Sequence, residues 1–138
     1  METFIKEDSA LSGIFMNVLQ GYLVVPVQTE MCERSAIRLQ EQILERVKET
    51  GVKGVVIDVS GVTIIDTSVA HVISDTAKMA SLLGASTVLT GLRPGVVGAL
   101  MDLEFEFEGL DTALTVEQGI LKLKSLGSSI EKLDVYIC

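Results

Sequence analysis

The spacing of apolar residues changes several times along the chain, and each change predicts an element. Residues 14–20 and 22–28 are two short runs of β-forming composition separated by Gly21, a spacing that predicts an antiparallel hairpin. Pro26 falls inside the second run, where a missing N–H suits an edge position or a bulge better than a central strand. Over residues 32–50 the period becomes helical: Ala36, Leu39, Ile43 and Val47 recur at steps of three and four, with charged and polar residues filling much of the rest. Gly51 stands where helices commonly stop. Residues 54–60 (GVVIDVS) form an apolar run typical of a strand covered on both faces. A loop over 61–65 leads to Asp66 and a second helix reaching about Leu83, with a buried stripe of Val69, Val72, Ile73, Thr76, Ala80 and Leu83.

Residues 86–90 (STVLT) predict another buried strand, and Pro94 opens a short helix to about Leu103, at the position where its absent N–H is harmless. The strict alternation Glu104-Phe105-Glu106-Phe107-Glu108 is read as a loop or extended link into residues 110–114. A last helix starts at Thr115, which with Gln118 has capping-box spacing, and turns Val116, Ile120 and Leu123 inward. It is expected to break over residues 125–129. Strands and helices that alternate after a hairpin imply parallel strands joined by right-handed crossovers. The expected architecture is a single α/β domain with a mostly parallel β-sheet, an N-terminal hairpin and about four flanking helices. Its expected boundaries are a leader over 1–13, the domain over 14–127 and a tail over 128–138.

Composition narrows what such a domain does. Of 138 residues 48% are hydrophobic but only 4% aromatic, with no Trp, so the core is built from Val, Ile, Leu, Ala and Met. A net charge of −8 repels phosphodiester backbones and anionic bilayers, which argues against nucleic-acid and membrane-surface roles. Cys32 and Cys138 are unclustered and lack metal-ligand neighbours, as in proteins of a reducing compartment. No basic stretch runs into an apolar segment near the start, and apolar runs such as residues 22–27 are too short to span a bilayer. The expectation is a cytoplasmic domain.

Enzyme constellations are sparse. His71 is the sole histidine and lies within the second predicted helix, where a surface or boundary role is the ordinary one. No Cys/His/Asp group has zinc spacing, and no Gly-rich phosphate loop is present, so neither metal nor cofactor is expected. Gly91-Leu92-Arg93-Pro94-Gly95 superficially suggests an anion site at a helix start but reads better as a tight strand-to-helix turn. One segment stands apart. Asp66 is placed to cap the second helix, which puts Thr67 and Ser68 in its first turn, where backbone N–H groups lack intrahelical acceptors. A phosphate there would gain from those donors and from the helix dipole, although Asp-Thr-Ser is also an ordinary capping sequence.

These residues carry a resemblance. The run from Gly54 to Val62 (GVVIDVSGV), followed by Ile65-Asp66-Thr67-Ser68-Val69-Ala70, resembles the central signature of STAS domains, the anti-sigma-factor antagonist family. Leu83-Gly84-Ala85, the run Val88-Leu89-Thr90-Gly91-Leu92-Arg93-Pro94, Thr112-Ala113-Leu114 and Glu117-Gln118-Gly119 resemble its stressosome branch. The resemblance implies a non-catalytic scaffold in a multi-copy homo- and hetero-oligomer with a sensory STAS paralogue. It also implies that a switch serine/threonine kinase is sequestered there until the Ser or Thr directly after the capping Asp is phosphorylated. That position is Thr67, with Ser68 as the alternative acceptor. About thirteen residues precede the first predicted strand, and with Val27-Gln28-Thr29-Glu30-Met31 this fits the stand-alone class rather than the sensory one. One feature departs from the stand-alone pattern, whose members usually carry Ser at the switch position, whereas Thr at the position of Thr67 is more typical of sensory paralogues. The second acceptor of those paralogues has no counterpart, because residues 95–101 hold no hydroxyl. The competing expectations are a simple antagonist binding an anti-sigma kinase one-to-one, and a small-ligand-binding STAS module.

Overall fold

The structure, a computed structural model, describes residues 15–103 and 110–137, with only the backbone described over 128–137. Strands β1 (Asn17–Leu19) and β2 (Tyr22–Pro26) precede α1 (Glu33–Thr50), β3 (Gly54–Asp58), α2 (Thr67–Leu82), β4 (Ser86–Thr90), α3 (Pro94–Met101), β5 (Leu110–Ala113) and α4 (Val116–Ile137). The five strands pair in chain order; β1 is antiparallel to β2 and every later pair is parallel. The expected leader over 1–13 and the link at 104–108 lie outside the described residues.

The hairpin closes with Leu19 opposite Tyr22, leaving Gln20 and Gly21 as the turn at φ 54° and 86°. Two consecutive positive φ values define the type I′ turn, whose twist matches that of the flanking strands. The position of Pro26 corrects one expectation, because β2 is an interior strand rather than an edge. Pro26 is tolerated because β1 pairs only as far as Val24, so no partner on that side asks for an N–H.

Alternation along the strands divides the core. Leu23, Val25, Val55, Ile57 and Leu89 belong to a cluster with Ala36, Leu39, Ile43 and Val47 of α1, Val69, Ile73 and Ala77 of α2, and Val96 of α3. On the other face, Val56 and Val88 meet Ile120 and Leu123 of α4. Fully burying each Val, Leu or Ile side chain among them contributes about 1.5–3 kcal/mol, which makes this pair of clusters the main stabilising term.

The buried stripe of α1 is the four residues that its period predicts, and Gly51 ends it in the left-handed region at φ 67°. Helix α2 buries a broader face than its stripe indicates. Ala70, Ser74 and Ala77 are buried as well, whereas Leu83 lies beyond the helix end and is 49% exposed. The cause is a two-sided environment, since α2 packs on the sheet, on α1 and on α3. Gln40 reaches across from α1 to Thr76 Oγ1 (3.1 Å), whose hydroxyl donates to the Val72 carbonyl (2.6 Å). The expected break at residues 125–129 does not occur, and α4 continues to Ile137. Serines and one glycine lower helix propensity by at most about 1 kcal/mol per residue, too little to end a helix already anchored by Ile120 and Leu123.

Candidate functional site

Parallel strands bring their carboxyl ends to one edge of the sheet, and the connections after β2, β3 and β4 meet there. The loop between β3 and α2 is held from beneath by the buried side chains of Val62 and Ile65 and by a turn in which the Val62 N–H donates to the Val59 carbonyl (2.9 Å). Thr63 and Ile64 lie between those anchors and face outward; Ile64 is 63% exposed.

Asp66 enters the helix with extended backbone, φ −91° and ψ 175°, and acts as its N-cap. One carboxylate oxygen, Oδ1, accepts both the Val69 N–H (2.9 Å) and the Ser68 hydroxyl (2.6 Å). Those two donors, the Ser68 hydroxyl first, hold the Asp66 carboxyl below the ordinary Asp range. Thr67 is the first helical residue and is exposed. Its hydroxyl makes no hydrogen bond among the described residues, whereas the hydroxyl of half-buried Ser68 is already engaged. The three residues singled out from the sequence thus lie together, with Asp66 orienting the helix start and Thr67 carrying the exposed hydroxyl.

Two neighbouring residues act on this loop. Glu30, from the connection between β2 and α1, accepts the Thr63 N–H at 2.8 Å and the Thr63 hydroxyl on the same oxygen. These bonds lower the Glu30 pKa, with a smaller contribution from the charge of Arg93. Arg93 donates Nε–H to the Ser60 carbonyl (2.9 Å). Its segment is a strand-to-helix turn with Pro94 in the first turn of α3. Below them, the Asp58 carboxylate accepts hydroxyls from Ser60 (2.8 Å) and Thr90 (3.0 Å). Gly95 lies so close to the loop that a Cβ there would be 2.4 Å from the Thr63 carbonyl oxygen, and Ile64 and Gly95 form a parallel bridge. Periodicity gives no sign of the contact between Glu30 and Thr63, because the partners are 33 residues apart. The only trace in the sequence is that Glu30 falls within the Val27–Met31 run of the branch resemblance.

Among the described residues no group of three or more His, Cys, Asp or Glu could hold a metal ion. No helix there is long and apolar enough to cross a membrane.

The α/β fold, with Asp66 capping its second helix, belongs to a recognisable class of domain. The model of the STAS domain matches residues 14–119. The chain belongs to the STAS domain family. RsbRA of Bacillus subtilis (strain 168), an RsbT co-antagonist protein, is 30% identical over 110 residues, which is 80% of this chain and 40% of RsbRA. The chain therefore spans well under half the length of that relative. A variant of Moorella thermoacetica RsbS with glutamate in place of one serine superposes with a TM-score of 0.72 at 31% identity, covering 83% of this chain and 97% of that one. A chain from the molecular architecture of the stressosome, a signal integration and transduction hub, superposes with a TM-score of 0.67 at 32% identity, covering 82% and 98%. Among these relatives one is thus an RsbT co-antagonist protein and one a chain of the stressosome.

Proposed function

We propose that this chain is a non-catalytic scaffold of a stressosome-type assembly. It holds a switch serine/threonine kinase and releases it when Thr67 is phosphorylated. The assembly contains further copies and a sensory STAS paralogue, and it is cytoplasmic.

The observation that carries the reading is the division of labour between Thr67 and Ser68. Both hydroxyls sit in the first turn of α2, but that of Ser68 donates to Asp66 while that of Thr67 is exposed. A kinase needs an accessible nucleophilic oxygen, and Thr67 supplies it. The phosphate would stand where unpaired N–H groups and the positive end of the helix dipole favour an anion. It would add about two negative charges to the surface that the kinase grips. Asp66 is the cap that keeps the acceptor at the helix start.

Phosphopeptide mapping after incubation with the cognate switch kinase tests the assignment. Phosphate is expected on Thr67 and absent from Thr67→Ala. Labelling confined to Ser68, or undiminished labelling of Thr67→Ala, refutes it.

A further inference from the structure

We propose that Glu30 and Arg93 are positioning residues for the phosphoacceptor. From two separate connections they fasten the loop before α2 on both flanks, so that Ile64 and Thr67 are held out as one preformed contact surface for the kinase. This inference rests on the function proposed above.

The loop has buried anchors only at Val62 and Ile65. Between them, Thr63 and Ile64 put no side chain into the core, so their backbone needs restraint from outside. Glu30 provides it on one flank by accepting both the backbone N–H and the hydroxyl of Thr63. A carboxylate that holds one residue through two donors fixes the direction of its peptide as well as its distance. Arg93 provides it on the other flank by holding the Ser60 carbonyl, and the close approach of Gly95 to Thr63 leaves little room for the loop to swing. The two clamps also favour each other, because the Arg93 charge acts on Glu30.

Glu30 and Thr63 are both exposed, and exposed polar pairs add little to global stability. Their effect is therefore local. They reduce the ordering that a partner would otherwise impose when it docks on Ile64 and Thr67, and such preorganisation is expressed in affinity. Removing the carboxylate should loosen the acceptor loop and leave the sheet intact.

Two measurements on the full 138-residue chain test this. Amide hydrogen exchange followed by NMR should show Thr63 and Ile64 exchanging roughly tenfold faster in Glu30→Ala, with β3 and β4 unchanged. Glu30→Gln keeps an acceptor oxygen and should recover most of the protection. With the cognate switch kinase, Glu30→Ala should raise KM for phosphorylation of Thr67 by roughly tenfold while kcat stays near wild type, and Glu30→Gln should again recover. Unchanged exchange at Thr63 and Ile64 in Glu30→Ala overturns the clamp whatever the kinase does. Faster exchange with an unchanged KM overturns the positioning role. Wild-type protein that is never phosphorylated overturns the phosphoacceptor reading itself, a result that the exchange data cannot mimic.

Discussion

Asp66 makes the helix start depend on pH. Its Oδ1 accepts the Val69 N–H and the Ser68 hydroxyl, and both donors favour the ionised form. A carboxyl whose pKa is depressed in the folded state stabilises the fold fully above its unfolded value of about 3.9, and that contribution is lost as pH falls through the folded value. Asp66→Ala should therefore melt below wild type at neutral pH, with the gap closing on acidification below the ordinary Asp range. Asp66→Asn should keep the cap while flattening the pH dependence, because a neutral amide caps nearly as well as a carboxylate. Thermal unfolding followed by circular dichroism at a series of pH values checks both, and a gap independent of pH would contradict the assignment. A second residue works against stability. Thr87 in β4 is 1% exposed, and its Oγ1 has no hydrogen-bond partner among the described residues. Thr87→Val replaces that stranded hydroxyl with a methyl group and should raise unfolding free energy by about 1 kcal/mol. The measurement is urea denaturation with an unchanged m-value, and a loss of stability would mean that the hydroxyl is bonded after all.

Among the elements, those with one environment per face were legible in the sequence. Helix α1 has a single buried stripe, so Ala36, Leu39, Ile43 and Val47 follow from spacing alone. Strands β3 and β4 are covered on both faces and read as apolar runs. Helix α2 was only half legible, because the burial of Ala70, Ser74 and Ala77 depends on how α1 and α3 close around it. The site divides in the same way. Asp66, Thr67 and Ser68 are neighbours in the chain, and a capping pattern brings them together. The Glu30–Thr63 contact exists only once the loops converge, and no local signal encodes it. In helix α4, Gly127 and the nearby serines resemble a terminator, although the helix continues through them. A Cβ at Gly127 would meet nothing within 4 Å, and its φ is not positive. Gly127→Ala should therefore stabilise the protein by roughly 0.5–1 kcal/mol through the entropy of the unfolded chain. An increase in melting temperature with no loss of ellipticity at 222 nm is expected. A fall in stability would mean that the helix stops before Gly127.

For the whole molecule, sequential strand order and parallel pairing concentrate three connections at one end of the sheet, where Thr67 stands exposed, apart from the buried Val62 and Ile65 that tie the loop into the core. That separation lets a charge change at Thr67 alter a partner contact without unfolding the domain. The helix start favours an anion by about 0.3–1 kcal/mol, rising to about 2 kcal/mol in favourable sites, so the phosphorylated fold should be nearly as stable as the unmodified one. On the partner side, a kinase surface shaped for a neutral hydroxyl would meet an uncompensated charge. Losing a well-packed interface contact commonly weakens binding by about 2–4 kcal/mol, or roughly thirtyfold to a thousandfold. Thr67→Asp introduces one charge where phosphate brings about two, so it should reproduce part of the loss, whereas Thr67→Ala should keep the kinase bound. Both variants should melt close to wild type. Titration calorimetry against the kinase, paired with thermal unfolding of each variant, separates the effects. If Thr67→Asp binds as tightly as wild type, or binds weakly only because it has unfolded, then charge at the start of α2 is not what releases the kinase.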